Sequence, residues 1–321
     1  MRYEKKVTWL LGALAALLVI WAAGLVFSPE RMAARSESAQ LIAGKPSDVA
    51  AVSLTGGSLP APIQLIKSGA GWTMTDGSAQ LPVQSSRVTA FVNALASVTR
   101  LRQVARSKDS WAGFQLDDAK AKRATLKDAS GKVLADIYVG NYGPTGGEVY
   151  LRHLGSDNSY TVDASIASYF SYGRPSWLDL AVLGGIKETD VQSLSVKAAI
   201  ELEGKGKPAL ALDYGLTRDG KLWKAGAAQV DADSVDSYLR AILGLQGEDY
   251  IASPPADAFA RIDAKLTIEL GSGASKVLQI GASAGNDRFY GRIGDQGLAF
   301  TISTYSLKAA LKSLADLSVK K

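Results

Sequence analysis

The pattern of hydrophobic and polar positions changes character at residue 27. Before it, Val7 to Phe27 reads VTWLLGALAALLVIWAAGLVF, 21 residues without a charge. At about 1.5 Å rise per residue, a helix of that length spans roughly 30 Å, the hydrocarbon thickness of a bilayer. The run predicts a transmembrane anchor over 7–27 behind a cytoplasmic tail over 1–6. Arg2, Lys5 and Lys6 lie ahead of it, and positive charge favours the cytoplasmic side. The N-terminus is therefore expected inside a bacterial inner membrane, with the bulk of the chain in the periplasm or outside. The competing reading is a cleaved signal peptide, with Leu10 to Ile20 as its apolar region and Ala22 and Gly24 as small residues for cleavage. Because the apolar run continues through Leu25, Val26 and Phe27, a retained anchor is favoured.

Residues 28–46 are polar, rich in small residues and opened by Ser-Pro, as a partly helical tether would be. Beyond them the pattern shortens to strand and helix periods. Val49–Leu54, Ile63–Lys67 and Gly71–Met74 read as short strands. Val88, Phe91, Val92, Leu95 and Val98 then fall at helical spacing behind the caps Ser85 and Ser86. Two hairpins follow, turning at Asp128-Ala129-Ser130-Gly131 and at Gly155-Ser156-Asp157-Asn158, and a helix over about 164–170 closes the unit.

The later half repeats this order. Val88, Phe91, Val92, Leu95 and Val98 match Val235, Tyr238, Leu239, Ile242 and Leu245 at a constant offset of 147. Gly71-Trp72 matches Leu222-Trp223, and Val139-Gly140 matches Ile280-Gly281. Tyr150-Leu151-Arg152 matches Tyr290-Gly291-Arg292, and Tyr160-Thr161-Val162 matches Phe300-Thr301-Ile302. The closing helix recurs as Leu307, Ala310, Leu311, Leu314 and Leu317. The fold class expected is α+β: one transmembrane helix and then two tandem repeats over 47–186 and 187–321. Each repeat is an antiparallel sheet with two packed helices.

Composition narrows the function. Of the net charge of +5, residues 1–35 carry +3, so the basic balance is largely a membrane-orientation signal. No basic cluster interleaved with aromatics follows, which rejects nucleic-acid binding. At 47% hydrophobic and 21% charged the outer portion is globular. With no Cys there is no disulfide, thiol nucleophile, cysteine zinc site or acylated-cysteine anchor.

The ordered set of a Gly-Trp strand end, a capped helix, hairpins, a Val-Gly turn and a Tyr-x-Arg strand resembles a bacterial envelope family known as domain of unknown function 4340. The likeness runs from about Val49 to Leu317. Arg174-Pro175-Ser176-Trp177-Leu178-Asp179-Leu180 departs from the Arg-rich stretch expected after the first closing helix. The resemblance implies an accessory, membrane-tethered subunit of a gliding-motility-type ABC transporter. Its partners would be a permease and extracytoplasmic subunits, and ATP would be bound only by a partner. It supplies no catalytic residues.

Local chemistry agrees with a non-enzyme. No Walker-type phosphate loop occurs, and Gly140, Gly143, Gly146 and Gly147 have turn spacing, not dinucleotide spacing. His153, the one histidine, sits on a strand without a nucleophile elbow, and the second copy has Ile293 at the matching position. Asp231, Asp233 and Asp236 resemble a fragment of a calcium loop but read better as helix-capping acids. Ser306 and Lys308 are a chance Ser/Lys pair. No catalytic residue, cofactor or metal is therefore expected. The candidate partner surface is Tyr169, Tyr172, Arg174 and Trp177, around Phe170, since aromatics and Arg are enriched at interface hot spots. The bland alternative is that they fill the seam between the repeats, and Trp72 and Trp223 read as core. The expected role is scaffolding or coupling. The alternatives are a binding module for an envelope polymer or lipid, and an envelope hydrolase.

Overall fold

The computed structural model describes residues 14–19, 21, 36–38, 40–57, 59–69, 71–98, 100–204 and 206–318. Residues 14–19 and 21 are helical and exposed, and the rest of the anchor expected over 7–27 lies outside the described residues. Among the described residues, no helix is long and apolar enough to cross a membrane. The chain beyond is mixed α+β, with two antiparallel sheets and few helices. It divides into two compact units, residues 1–70 with 85–173, and residues 71–84 with 174–321.

The first unit holds β1 (Ser36–Ser38), β2 (Ala51–Gly56) and β3 (Ile63–Ser68), and the second holds the hairpin β4 (Gly71–Asp76) and β5 (Ala79–Pro82). The first unit continues with helix α1 (Ser85–Ser97), β6 (Arg100–Ala105), the single turn α2 (Trp111–Phe114), β7 (Lys122–Lys127), β8 (Val133–Tyr142), β9 (Glu148–His153) and β10 (Ser159–Asp163). Its strands run β1-β6-β10-β9-β8-β7-β2-β3. Alternation builds them: Val52 and Leu54 of β2 are buried between half-exposed Ala51, Ser53 and Thr55, so one face meets the core and the other meets water. The turn between β7 and β8 closes because Asp128 Oδ1 accepts the N–H groups of Ser130 and Lys132. α1 buries Val88, Phe91, Val92 and Leu95, the stripe its spacing predicts. The closing element at Ala164–Ser171 is a 3-10 helix and not an α-helix. The folded unit begins inside the stretch read as a tether. Ser36–Ser38 pair with β6, and the apolar pair Leu41-Ile42 is buried to 2% exposure each.

The second unit adds β11 (Val191–Ile200), β12 (Leu210–Asp219), β13 (Leu222–Ala225), β14 (Ala228–Gln229), α3 (Ala232–Leu243), β15 (Asp249–Ile251), β16 (Ala264–Leu270), β17 (Ser275–Gly285), β18 (Arg288–Ile293), β19 (Ala299–Ser303) and α4 (Thr304–Ala310). Its sheet order is β14-β13-β12-β11-β16-β17-β18-β19-β15. α3 buries Val235, Tyr238, Leu239 and Ile242 among Leu194, Val196, Leu216, Trp223, Leu266 and Phe300. Tyr238 is fully buried and donates its hydroxyl to Ala310 O, while Tyr214 donates to Lys312 O, so two carbonyls at the end of α4 are satisfied.

In each unit a crossing segment lies directly on a strand glycine. A Cβ on Gly140 of β8 would meet Phe114 O at 2.1 Å, and one on Gly281 of β17 would meet Ala258 O at 2.0 Å. An arginine braces each crossing. Arg152 is 2% exposed, donates from Nε to Leu116 O at 2.8 Å, and lies against the rings of Trp111 and Tyr138 at 3.9 and 3.6 Å. Arg292 donates from Nε to Gln279 Oε1 at 2.8 Å and lies over Phe259 at 4.4 Å.

Gly140→Ala and Gly281→Ala should each lower stability by about 3 kcal/mol, because the obstructing atom is a backbone oxygen that cannot rotate away. Gly113→Ala, which meets nothing within 4 Å, should be near neutral. Urea unfolding of the three variants checks this. A loss below 1 kcal/mol at Gly140 and Gly281 would sink the argument.

Candidate functional site

The four residues singled out as a contact surface take unlike places. Tyr169 and Tyr172 belong to the first unit and Arg174 and Trp177 to the second. Tyr169 is half-buried, its ring 5.2 Å from Phe91 and edge-on to Tyr172 at 6.1 Å. Tyr172 carries the Arg87 guanidinium over its face at 4.7 Å. Trp177 is fully buried, and its carbonyl accepts Gln84 N–H at 2.9 Å. It lies in the core and offers no face to solvent.

Arg174 is the centre of a polar node. Its Nη1 donates to Asp249 Oδ2 at 2.7 Å and its Nη2 to Asp76 Oδ2 at 2.7 Å and to the Tyr250 carbonyl at 3.2 Å. Asp76 ends β4, Asp249 opens β15, and Arg174 starts the 3-10 turn Arg174–Trp177. A planar, permanently charged fork is the group that can hold two carboxylates and a carbonyl at once. Burial pushes the Asp249 carboxyl above its usual range, and the Arg174 charge works against that shift. Tyr250 extends the node: its backbone N–H donates to Asp249 Oδ1 and its hydroxyl to Asp179 O, both at 2.9 Å. Beside it lies a cavity of about 140 Å³ lined by Leu180, Val182, Tyr250, Leu298 and Phe300. The node holds no nucleophile–base pair, and its charges are spent on one another. Its chemistry is that of a fastening. Asp76, Asp249 and Tyr250 carry no local sequence signal, since Asp249 lies 75 and Asp76 lies 98 positions from Arg174.

The other residues weighed for chemistry take structural partners. Asp231 caps α3 by accepting Ser234 N–H at 2.9 Å, and Asp236 accepts the Trp223 indole N–H at 3.2 Å. Ser306 pairs with Ser303 at 3.0 Å, whereas Lys308 pairs with Glu203. Gly143 N–H bonds Glu148 O within the turn joining β8 to β9. Among the described residues, no group of three or more His, Cys, Asp or Glu is placed to hold a metal ion. His153 sits at the end of β9 edge-on to Tyr160 at 6.2 Å, and burial pushes its imidazole below the ordinary value.

The fold is that of a two-unit α+β protein in which Arg152 ties groups within the first unit and Arg174 and Arg292 tie groups within the second. The family model described as a domain of unknown function (DUF4340) matches residues 72–261, more than half of the chain, and the chain belongs to that family. No curated protein and no solved structure matches it.

Arg174→Met should leave Asp249 without its cation. The Asp249 carboxyl should then titrate higher still, and stability should fall by about 1–2 kcal/mol, the modest value fitting charges that are a third exposed. NMR titration of the Asp249 carboxyl together with urea unfolding checks both; an unmoved titration would remove the node from the account.

His153 gives a pH prediction. Its folded-state affinity for protons is depressed, so its contribution is complete above about pH 6.5 and declines as pH falls from there towards the lower folded value. His153→Gln should flatten the fall of the urea midpoint between pH 6.5 and 5. The same slope in both proteins would place the proton uptake elsewhere.

Proposed function

We propose that residues 47–186 and 187–321 are tandem copies of one α+β repeat, and that residues 7–27 hold them outside the cytoplasmic membrane. The protein then acts as an accessory subunit of an ABC-type transport complex, by scaffolding or coupling and not by catalysis. The observation that carries this reading is the described part of the N-terminal helix. Leu14, Leu17, Leu18, Val19 and Trp21 are between 55% and 68% exposed, so the chain's own core buries none of them. A cluster of large apolar side chains with no cover of its own needs lipid or another helix around it.

Three correspondences support duplication. The order β6-β10-β9-β8-β7-β2-β3 is met again as β15-β19-β18-β17-β16-β11-β12. The glycine crossings at Gly140 and Gly281 carry Arg152 and Arg292 at matching places. The bond from Gln84 N–H to Trp177 O is paralleled by that from Asp231 N–H to Leu317 O. Trp177 then corresponds to Leu317, a plug at the end of a copy. A fold whose polar clusters are fastened internally leaves docking as its work, and the transporter is the setting that the family resemblance implies.

The test is to purify the tagged full-length protein from its native membrane in mild detergent and identify its companions by mass spectrometry. An ABC permease and ATPase should be recovered stoichiometrically. A second preparation with residues 7–27 replaced by an unrelated anchor assigns the recognition, to the membrane helix if recovery is lost and to the repeats if it survives. A protein that comes out alone from both preparations would overturn the subunit reading.

A further inference from the structure

β12 leaves most of one edge bare. Along one side its residues Leu210–Thr217 pair with β11 in unbroken register. Along the other, β13 reaches only Thr217, Arg218 and Asp219. Among the described residues, nothing hydrogen-bonds the outward backbone groups of 210–216. Such a row of amides and carbonyls is a template for another strand, and proteins usually guard it with proline, a bulge, charges or a covering segment. Residues 210–216 contain no proline, their pairing with β11 shows no bulge, and they carry one charge, Asp213. The opposite edge of the same sheet is guarded: Tyr250 of β15 has its N–H bonded by Asp249 and its carbonyl by Arg174.

The bare edge is also rigid and has room beside it. Leu212 and Leu216 are buried, and the Tyr214 hydroxyl is tied to Lys312 O at 2.8 Å, so the strand is held in its extended form before anything binds. On the solvent face stand Ala211, Asp213 and Gly215, two small residues flanking a carboxylate that pairs with Lys197 Nζ of β11 at 3.5 Å and is still 78% exposed, open on its other side. A groove of about 530 Å³ runs over that face, lined by Lys197, Ala199, Ala211, Asp213 and Lys265.

We propose that 210–216 receives an extended segment of a partner protein as an added strand, with a basic side chain opposite Asp213 and bulky apolar ones over Ala211 and Gly215. Backbone hydrogen bonds would supply affinity and the alternate side chains selectivity. A second copy of this chain fits less well, because the one register that pairs all seven residues sets Asp213 against Asp213, and like charges directly opposite repel. This inference goes beyond the subunit reading, since it holds whether or not the partner belongs to a transporter.

The probe is a synthetic peptide, acetyl-Thr-Leu-Thr-Lys-Thr-Leu-Thr-amide, added to the purified full-length chain in detergent. Hydrogen exchange should slow at 210–216 and not along β16, which is already paired on both sides. A Glu-centred peptide should bind about threefold more weakly, and Asp213→Lys, a change at an exposed position, should reverse that preference. A peptide N-methylated at alternate residues should not bind. The proposal is overturned if 210–216 gains no protection, or if the Lys and Glu peptides bind alike to both proteins. Protection that rises with protein concentration without peptide would instead make the edge a contact between copies, and would overturn the partner strand equally.

Discussion

Two contacts with no clearance organise this molecule: the carbonyl of Phe114 on Gly140 and that of Ala258 on Gly281. A sheet accepts a crossing segment at backbone distance only where the strand beneath has no side chain. Once the segment lies that close, its polar groups need partners, and a long cationic side chain from the neighbouring strand is suited to reach them. Arg152 fills that role from β9 by donating to Leu116 O, whereas Ala258 O accepts the Ala282 N–H and Arg292 of β18 bonds Gln279 of β17. The guanidinium groups of both arginines lie against aromatic rings, Trp111 and Tyr138 in one case and Phe259 in the other. At Gly140, glycine, crossing and arginine therefore form one device, because Arg152 bonds the Leu116 carbonyl of the crossing itself.

That device was half legible. Val139-Gly140 and Ile280-Gly281, like the two Tyr-x-Arg strands, stand out as repeated dipeptides and tripeptides, so their recurrence can be read along the chain. The reason for the recurrence cannot, because Phe114 and Ala258 are brought over the glycines by folding and carry no motif. α1 and α3 were legible for the opposite reason, since four or five apolar residues at helical spacing encode both the element and its buried face. The hairpin at Asp128 was legible through its turn chemistry alone. The long pair β11 and β12 was not: its alternation is diluted by Ala, Ser and Gly, whose side chains say little about which face is inside. Ser36–Ser38 was missed because three polar residues become a strand only when β6 is there to pair with them.

For the candidate site the limits are similar. An arginine among aromatics flags Arg174, but composition cannot separate an interface from an internal fastening. Two aspartates decide the matter, and neither is near it in sequence. Trp177 illustrates the same ambiguity from the apolar side, because a tryptophan suits a hot spot and a core equally until its burial is known. His153 and Asp231 were more readable, since one lacks the neighbours that catalysis needs and the other has the offset of a helix cap.

The hairpin β4–β5 shows how a segment distant in sequence is tied into its compact unit. In sequence it sits between β3 and α1, yet it belongs to the same compact unit as 174–321. Its bonds account for this: Asp76 to Arg174, Pro82 O to the Asp179 N–H, and Gln84 N–H to Trp177 O. The last two are backbone bonds of the kind that Asp231 makes with Leu317 at the end of the chain. Arg174 adds charge to these bonds, whereas Leu314, the same three positions before Leu317, can form no ion pair. The charged fork of Arg174 also reaches Asp249 on β15, so one side chain ties β4 to β15 within the second unit. A polar lock of this kind favours one pairing within the unit, since a half-exposed ion pair adds little to stability but tolerates few alternative partners. On this argument the departure of Arg174 to Leu180 from the expected Arg-rich stretch is no defect in the pattern. A single arginine is enough when both of its carboxylates are already waiting in the fold.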